Sequence, residues 1–101
     1  MNTRALFLAT SLIIFPFSLA HGDSMGKMEV NIDRPGADYA NFDLPAANPN
    51  ICENECAADS ACVAWSYVRP GFQGPNARYW LKNAVPEAVS NGAVISSVKV
   101  Q

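Results

Sequence analysis

The chain has 101 residues and a formal net charge of −2 at pH 7, so its length allows one small domain and no more. Half of the residues are hydrophobic, and outside the apolar N-terminal segment the composition is that of an ordinary globular domain. The basic residues form no run or patch. Nucleic acid and anionic membrane surfaces are therefore poor candidates for a partner.

The first 20 residues have the pattern of a secretory signal peptide. Arg4 supplies a positive charge, an apolar run covers residues 5–19, and Ser18 and Ala20 are the small residues that a signal peptidase reads. The apolar run is shorter than the ~20 residues that a membrane-spanning helix needs. We expect cleavage near Ala20, a mature chain without an integral membrane segment, and a periplasmic or secreted location. An uncleaved anchor is the alternative.

The N-terminal part of the mature chain predicts a tail and then a strand. Residues 21–26 are polar and contain glycine, so we expect a flexible tail before a domain at 27–101. Residues 27–33 alternate polar and apolar side chains, which predicts a half-buried strand. The turn-forming residues 34–36 end this strand, and residues 37–45 are expected to be irregular and partly extended.

The remaining elements are one helix and three strands. Asn48 is a good N-cap and Pro49 suits the first helical position, which predicts a short helix through residue 58. Strands are predicted at 63–69, 78–82 and 93–100, the first two forming a hairpin with a Pro- and Gly-rich loop. The fold class is therefore α+β, with one short helix packed on a small antiparallel sheet.

Three cysteines indicate disulfide chemistry in an exported domain of this size. Cys52 and Cys56 would share one helix face with Cβ atoms about 5–6 Å apart, which is too far for a disulfide. Cys62 follows the end of the helix, so we predict a Cys56–Cys62 disulfide. Cys52 is then an odd thiol, which is either buried or available for an intermolecular disulfide.

No catalytic or metal-binding constellation is evident in the sequence. Its single histidine, His21, lies in the expected tail, whereas triads and Cys–His pairs need a positioned histidine. Three cysteines and one remote histidine also fit a zinc site poorly. Carboxylate pairs such as Asp38 and Asp43, or Glu53 and Glu55, are interpreted as solvated surface charges. We predict a protein that is not an enzyme and that binds neither metal nor cofactor.

Several short segments between residues 33 and 99 form a combined pattern. They are DRPGADY at 33–39, FDL at 42–44, Cys52-x3-Cys56-AAD, Cys62-x-AWSYV, RPGFQGP at 69–75 and WLK at 80–82. Together they resemble the PAN/Apple domain family, in its small bacterial exported form. The resemblance implies a disulfide-stapled antiparallel sheet crossed by one helix, and it also implies the Cys56–Cys62 pair.

One family feature is absent from this chain. In the family, the first helix cysteine is usually paired with a cysteine just before the Trp-Leu-Lys segment, and here that position is Tyr79. The resemblance thus implies that Cys52 has lost its partner. We expect Tyr79 to fill the space beside it, with stability depending more on packing.

The resemblance implies a non-enzymatic interaction module that binds a protein or a carbohydrate. The loop after residue 69 presents Phe72 and Gln73 between Arg69 and Arg78, and we predict that these four side chains contact the ligand. In the alternative, Phe72 folds back onto the core.

A second interpretation is a structural or assembly subunit of a larger envelope or extracellular complex. Cys52 would link such a subunit covalently, giving a disulfide-linked dimer in the simplest case, or an exposed sheet edge at residues 93–100 would accept a partner strand. Trp65 and Trp80 are both expected in the core.

Overall fold

A computed structural model describes residues 24–100 as a sheet and one helix. The elements are β1 (Glu29–Asp33), β2 (Asp38–Asp43), α1 (Pro49–Ala58), β3 (Ala64–Val68), β4 (Arg78–Lys82) and β5 (Val89–Val98). The predicted α+β class is confirmed. The predicted signal peptide and residues 21–23 lie outside the described residues. Among the residues described, none belongs to a helix that is long and apolar enough to cross a bilayer.

The strands form a five-stranded antiparallel sheet in the order β1-β5-β3-β4-β2. β5 therefore lies inside the sheet, between β1 and β3, and the expectation of an exposed edge at residues 93–100 is wrong. The actual edges are β1 and β2. Each pairs with an irregular register, between Val30 and Ile32 in β1 and between Asp38 and Ala40 in β2. Such bulges make an edge a poor template for another strand.

Two segments are more ordered than the sequence indicated. Residues 38–43 form β2 because they pair with β4, where the rings of Phe42 and Tyr79 stack with centroids 5.2 Å apart. At the N-terminus, the Gly26 N–H donates to the Val98 carbonyl at 2.7 Å, and Met25 forms a bridge with Lys99. Residues 24–26 are thus attached to the sheet, which corrects the expectation of a flexible tail for this part.

Helix α1 begins and ends as its sequence predicts. The Asn48 side chain accepts a hydrogen bond from the Asn50 N–H at 2.9 Å, and the helix ends at Asp59. Ten residues are too few for a stable isolated helix. The helix is held by burial of its cysteines and by the confirmed Cys56–Cys62 disulfide, which contributes about 2 kcal/mol through loop closure.

The core lies between α1 and one face of the sheet. Successive residues of a strand point to opposite faces, so β3 and β4 contribute alternate side chains to this core. Its buried members are Leu44, Cys52, Cys56, Cys62, Trp65, Tyr67, Ala77, Tyr79 and Leu81. The intervening residues of β3 and β4 lie on the other face, which the helix does not cover.

Candidate ligand-binding groove

A groove of about 440 Å³ lies on the sheet face opposite the helix. Ser66 and Val68 of β3 and Trp80 and Lys82 of β4 contribute to its lining because they alternate with the core residues. The remaining lining residues come from the end of β1, the β1–β2 turn, the start of β2, the β3–β4 loop and β5; they are Asp33, Pro35, Gly36, Asp38, Phe72, Gln73, Asn91, Ala93 and Val94.

One end of the groove is charged. The Lys82 ammonium donates to Asp38 Oδ1 at 2.5 Å and to the Gly36 carbonyl at 3.2 Å, although the lysine is only 1% exposed. Nearby, Asp33 Oδ1 accepts hydrogen bonds from Ser66 Oγ and from the Arg34 N–H, both at 2.7 Å. Within residues 24–100, nothing accepts the third N–H of Lys82 or donates to the Oδ2 atoms of Asp33 and Asp38. This end therefore has spare donors and acceptors.

An indole and an amide lie in the middle of the groove. Trp80 Nε1 donates to Gln73 Oε1 at 2.8 Å, and the Arg78 guanidinium lies over the Trp80 ring, 5.8 Å from its centroid. The loop that carries Gln73 is closed by a hydrogen bond from the Gly71 N–H to the Gly74 carbonyl at 2.8 Å, and both glycines have positive φ. Trp80 is half-buried in this arrangement, so the expectation that it belongs to the core is wrong, whereas Trp65 is fully buried.

The structure separates the four predicted ligand contacts. Phe72 and Gln73 both line the groove, and Phe72 is 64% exposed rather than folded onto the core. Arg78 lies beside the groove, where it also binds Asn41 and, at 2.6 Å, Asp43. Arg69 does not line the groove; its guanidinium donates to Asn31 Oδ1 and to the Gly92 carbonyl. A ligand contact by any of the four remains a prediction.

Sequence reasoning missed most of the charged end. Asp33 and Asp38 are the first and last residues of the DRPGAD segment, and Lys82 is distant in sequence from both. The available signal was the alternation in β4, where Trp80 and Lys82 occupy one face and Tyr79 and Leu81 the other. That pattern indicates a shared face but not which face is covered by the helix.

Cys52 is fully buried and forms no disulfide. Burial raises the pKa of its thiol to about 12, so the reactive thiolate is scarce at neutral pH. Tyr79 belongs to the same buried cluster as Cys52. This environment disfavours both a reactive thiol and an intermolecular disulfide.

Across residues 24–100, no group of three or more His, Cys, Asp or Glu side chains could hold a metal ion.

Comparison with known proteins gives one match. No curated protein and no solved structure matches the chain. A family model of the PAN domain matches residues 32–82, which is half of the chain and extends from β1 to the end of β4. The matched region contains the turn after β1, the helix with its disulfide, and the β3–β4 hairpin with the loop that carries Phe72. This chain belongs to the PAN domain family.

Proposed function

We propose that the protein is a non-enzymatic, extracytoplasmic binding module whose ligand is a carbohydrate held in the groove. PAN domains in general are extracellular modules that bind proteins or carbohydrates and are typically not enzymes. The signal-peptide pattern of residues 1–20 supports a periplasmic or secreted location.

The observation that carries the proposal is the combination of an accessible indole with unsatisfied polar groups. A sugar ring has an apolar face that packs on an aromatic side chain, and it has hydroxyl groups that both donate and accept hydrogen bonds. The groove offers Trp80 for the ring, together with the spare N–H of Lys82 and the Oδ2 atoms of Asp33 and Asp38 for the hydroxyls.

The spacing of these groups suits a single hexose. Trp80 and Lys82 are alternate residues of β4, so their Cα atoms are about 7 Å apart along the strand. A ring packed against the indole would therefore place its hydroxyl groups near the charged end. A few convergent polar groups beside an apolar wall are typical of small-ligand sites.

Glycan binding by matched variants tests this function. The protein would be screened against a glycan array, and the best ligand titrated by calorimetry. We expect Trp80→Ala to weaken binding by about tenfold or more, because the sugar ring loses the indole on which it packs. Val85→Ala is the control, since Val85 is an exposed apolar side chain that does not line the groove. Undiminished affinity in Trp80→Ala, or no glycan binding by the unmodified protein, would reject the proposal.

A protein ligand is the second candidate, and the exposure of Phe72 at the loop tip favours it. An exposed aromatic in a loop closed by the hydrogen bond between Gly71 and Gly74 is a suitable interface anchor. A protein partner bound in this way would require Phe72 and tolerate Trp80→Ala. A glycan held in the groove is instead expected to lose affinity in Trp80→Ala. Assembly through Cys52 is not supported, because the thiol is fully buried.

A further inference from the structure

We infer that the groove selects its sugar by charge and prefers a hexosamine with a free, protonated amine. This inference rests on the proposed carbohydrate function and adds the chemical class of the sugar.

The charges that line the groove do not balance. Asp33 and Asp38 are its two carboxylates, and Lys82 is its one cation among the residues that line it. Lys82 is already paired with Asp38. The groove therefore carries an excess of one negative charge, located at the end where Asp33 lies.

Neighbouring cations do not cancel this excess. Arg34 is paired with Glu29 at 3.0 Å, and Arg78 with Asp43 at 2.6 Å. Neither arginine lines the groove. Arg69 also lies outside the lining, with its guanidinium directed to Asn31 and to the Gly92 carbonyl.

The free carboxylate oxygens define what the charged end accepts best. The hydrogen bonds described at Asp33 and Asp38 use only their Oδ1 atoms, so both Oδ2 atoms remain available to a donor. A protonated amine donates hydrogen bonds in which donor and acceptor are both charged, so it adds a Coulombic attraction that a neutral hydroxyl lacks. A sugar carboxylate would instead meet two like charges and one lysine that is already engaged.

The apolar part of the groove favours a ligand whose ammonium group is carried on a ring. Trp80, Val68 and Val94 line its centre and provide apolar surface next to the charged end. A hexosamine places an ammonium group directly on a ring of suitable size for the ~7 Å between alternate residues of β4. The occupant that satisfies both parts of the groove is therefore an amine-bearing hexose, at the end or within a glycan.

Calorimetric titration with three oligosaccharides of equal length tests the inference. They are an oligomer of glucosamine, the same oligomer N-acetylated, and an oligomer of galacturonic acid. Below the pKa of the sugar amine we expect the glucosamine oligomer to bind about tenfold more tightly than the acetylated one, and the acidic oligomer to bind most weakly. Above that pKa the preference for glucosamine should disappear, because the amine is neutral.

Two aspartate variants test which carboxylate recognises the sugar amine. Asp33→Asn can still accept from Ser66 and Arg34 through its amide oxygen, so the fold is retained while the charge is removed. We expect it to reduce the preference to about twofold or less. Asp38→Asn is the second variant, measured at a temperature where its unfolding transition shows that it is folded. Glu87→Gln is the control, because it removes the same charge from an exposed position outside the groove.

The outcomes separate the inference from the function on which it rests. Equal affinity for the glucosamine and acetylated oligomers would overturn the charge selection and leave the carbohydrate function intact. A preference that survives in both aspartate variants would also overturn it, because the amine would then be recognised elsewhere. Failure of all three oligosaccharides and of every sugar on the array would instead reject the carbohydrate function itself.

Discussion

The two faces of the sheet are built from the same strands and differ in almost every physical respect. On the helix side, Tyr79 and Leu81 of β4 join a closed apolar core with the disulfide. On the other side, Trp80 and Lys82 of the same strand line a groove with unused hydrogen-bonding groups. The helix therefore decides the role of each face. It closes one face for stability and leaves the other for a ligand.

Replacing one tryptophan on each face tests most directly whether the two faces differ in their contribution to the free energy of unfolding. Trp65 is fully buried under the helix, so Trp65→Ala should lower the free energy of unfolding by about 3–5 kcal/mol, enough to unfold much of a small domain. Trp80→Ala removes a half-buried ring from the groove and should cost far less. Urea denaturation followed by circular dichroism measures both. Similar losses for the two variants would show that the faces are not energetically distinct.

The second largest effect concerns the thiol on the closed face. Because burial raises the pKa of Cys52 to about 12, its alkylation in the native protein at pH 8 should be about a thousandfold slower than that of a free thiol. Intact mass without reduction should show no alkyl group on the native protein and one after denaturation, with Cys56 and Cys62 still paired. Rapid native alkylation, or a mass of two chains, would place Cys52 at the surface.

Local features of the fold were predictable from the sequence. Asn48 and Pro49 specify the start of the helix through backbone capping. The Cys56–Cys62 pair follows because the helix holds Cys52 and Cys56 too far apart, while Cys62 lies just beyond the helix end. These features depend on residues that are close in sequence. The β3–β4 hairpin belongs to the same class, because its strands are joined by one loop.

Features that depend on distant pairing were not predictable. Residues 38–43 alternate weakly and become a strand only through β4. β5 is the last strand in the chain, yet it is inserted between β1 and β3. The groove has the same origin. Lys82 meets Asp38 because β2 pairs with β4, and no local pattern encodes that contact. The loop position of Phe72 and Gln73 could be predicted, because Gly71 and Gly74 flank them in the sequence.

The ion pair between Lys82 and Asp38 tests how much the groove side contributes to stability. Asp38→Asn leaves the Lys82 ammonium, 1% exposed, without its carboxylate and should cost about 2 kcal/mol of unfolding free energy. Replacing both residues together, as Asp38→Asn with Lys82→Met, should recover much of this loss, since no unpaired charge remains buried. Urea midpoints of the single and double variants provide the measurement. A single variant as stable as the unmodified protein would mean that water already compensates Lys82.

The smallest effect is expected where β2 meets the end of the helix. The Tyr39 hydroxyl donates to Asp59 Oδ2 at 2.7 Å, and this bond, followed by the Ala61 N–H, lowers the pKa of Asp59. A carboxyl whose folded pKa is depressed contributes stability above its unfolded pKa of about 4 and loses it as the pH falls through the folded value. Tyr39→Phe removes the main cause of the depression. We therefore expect its urea midpoint to fall slightly at pH 7 and to converge with that of the unmodified protein in acid. A difference in urea midpoint that stays constant at every pH would instead assign the effect to packing of the ring. The contact between Tyr39 and Asp59 would then not depend on the charge of Asp59.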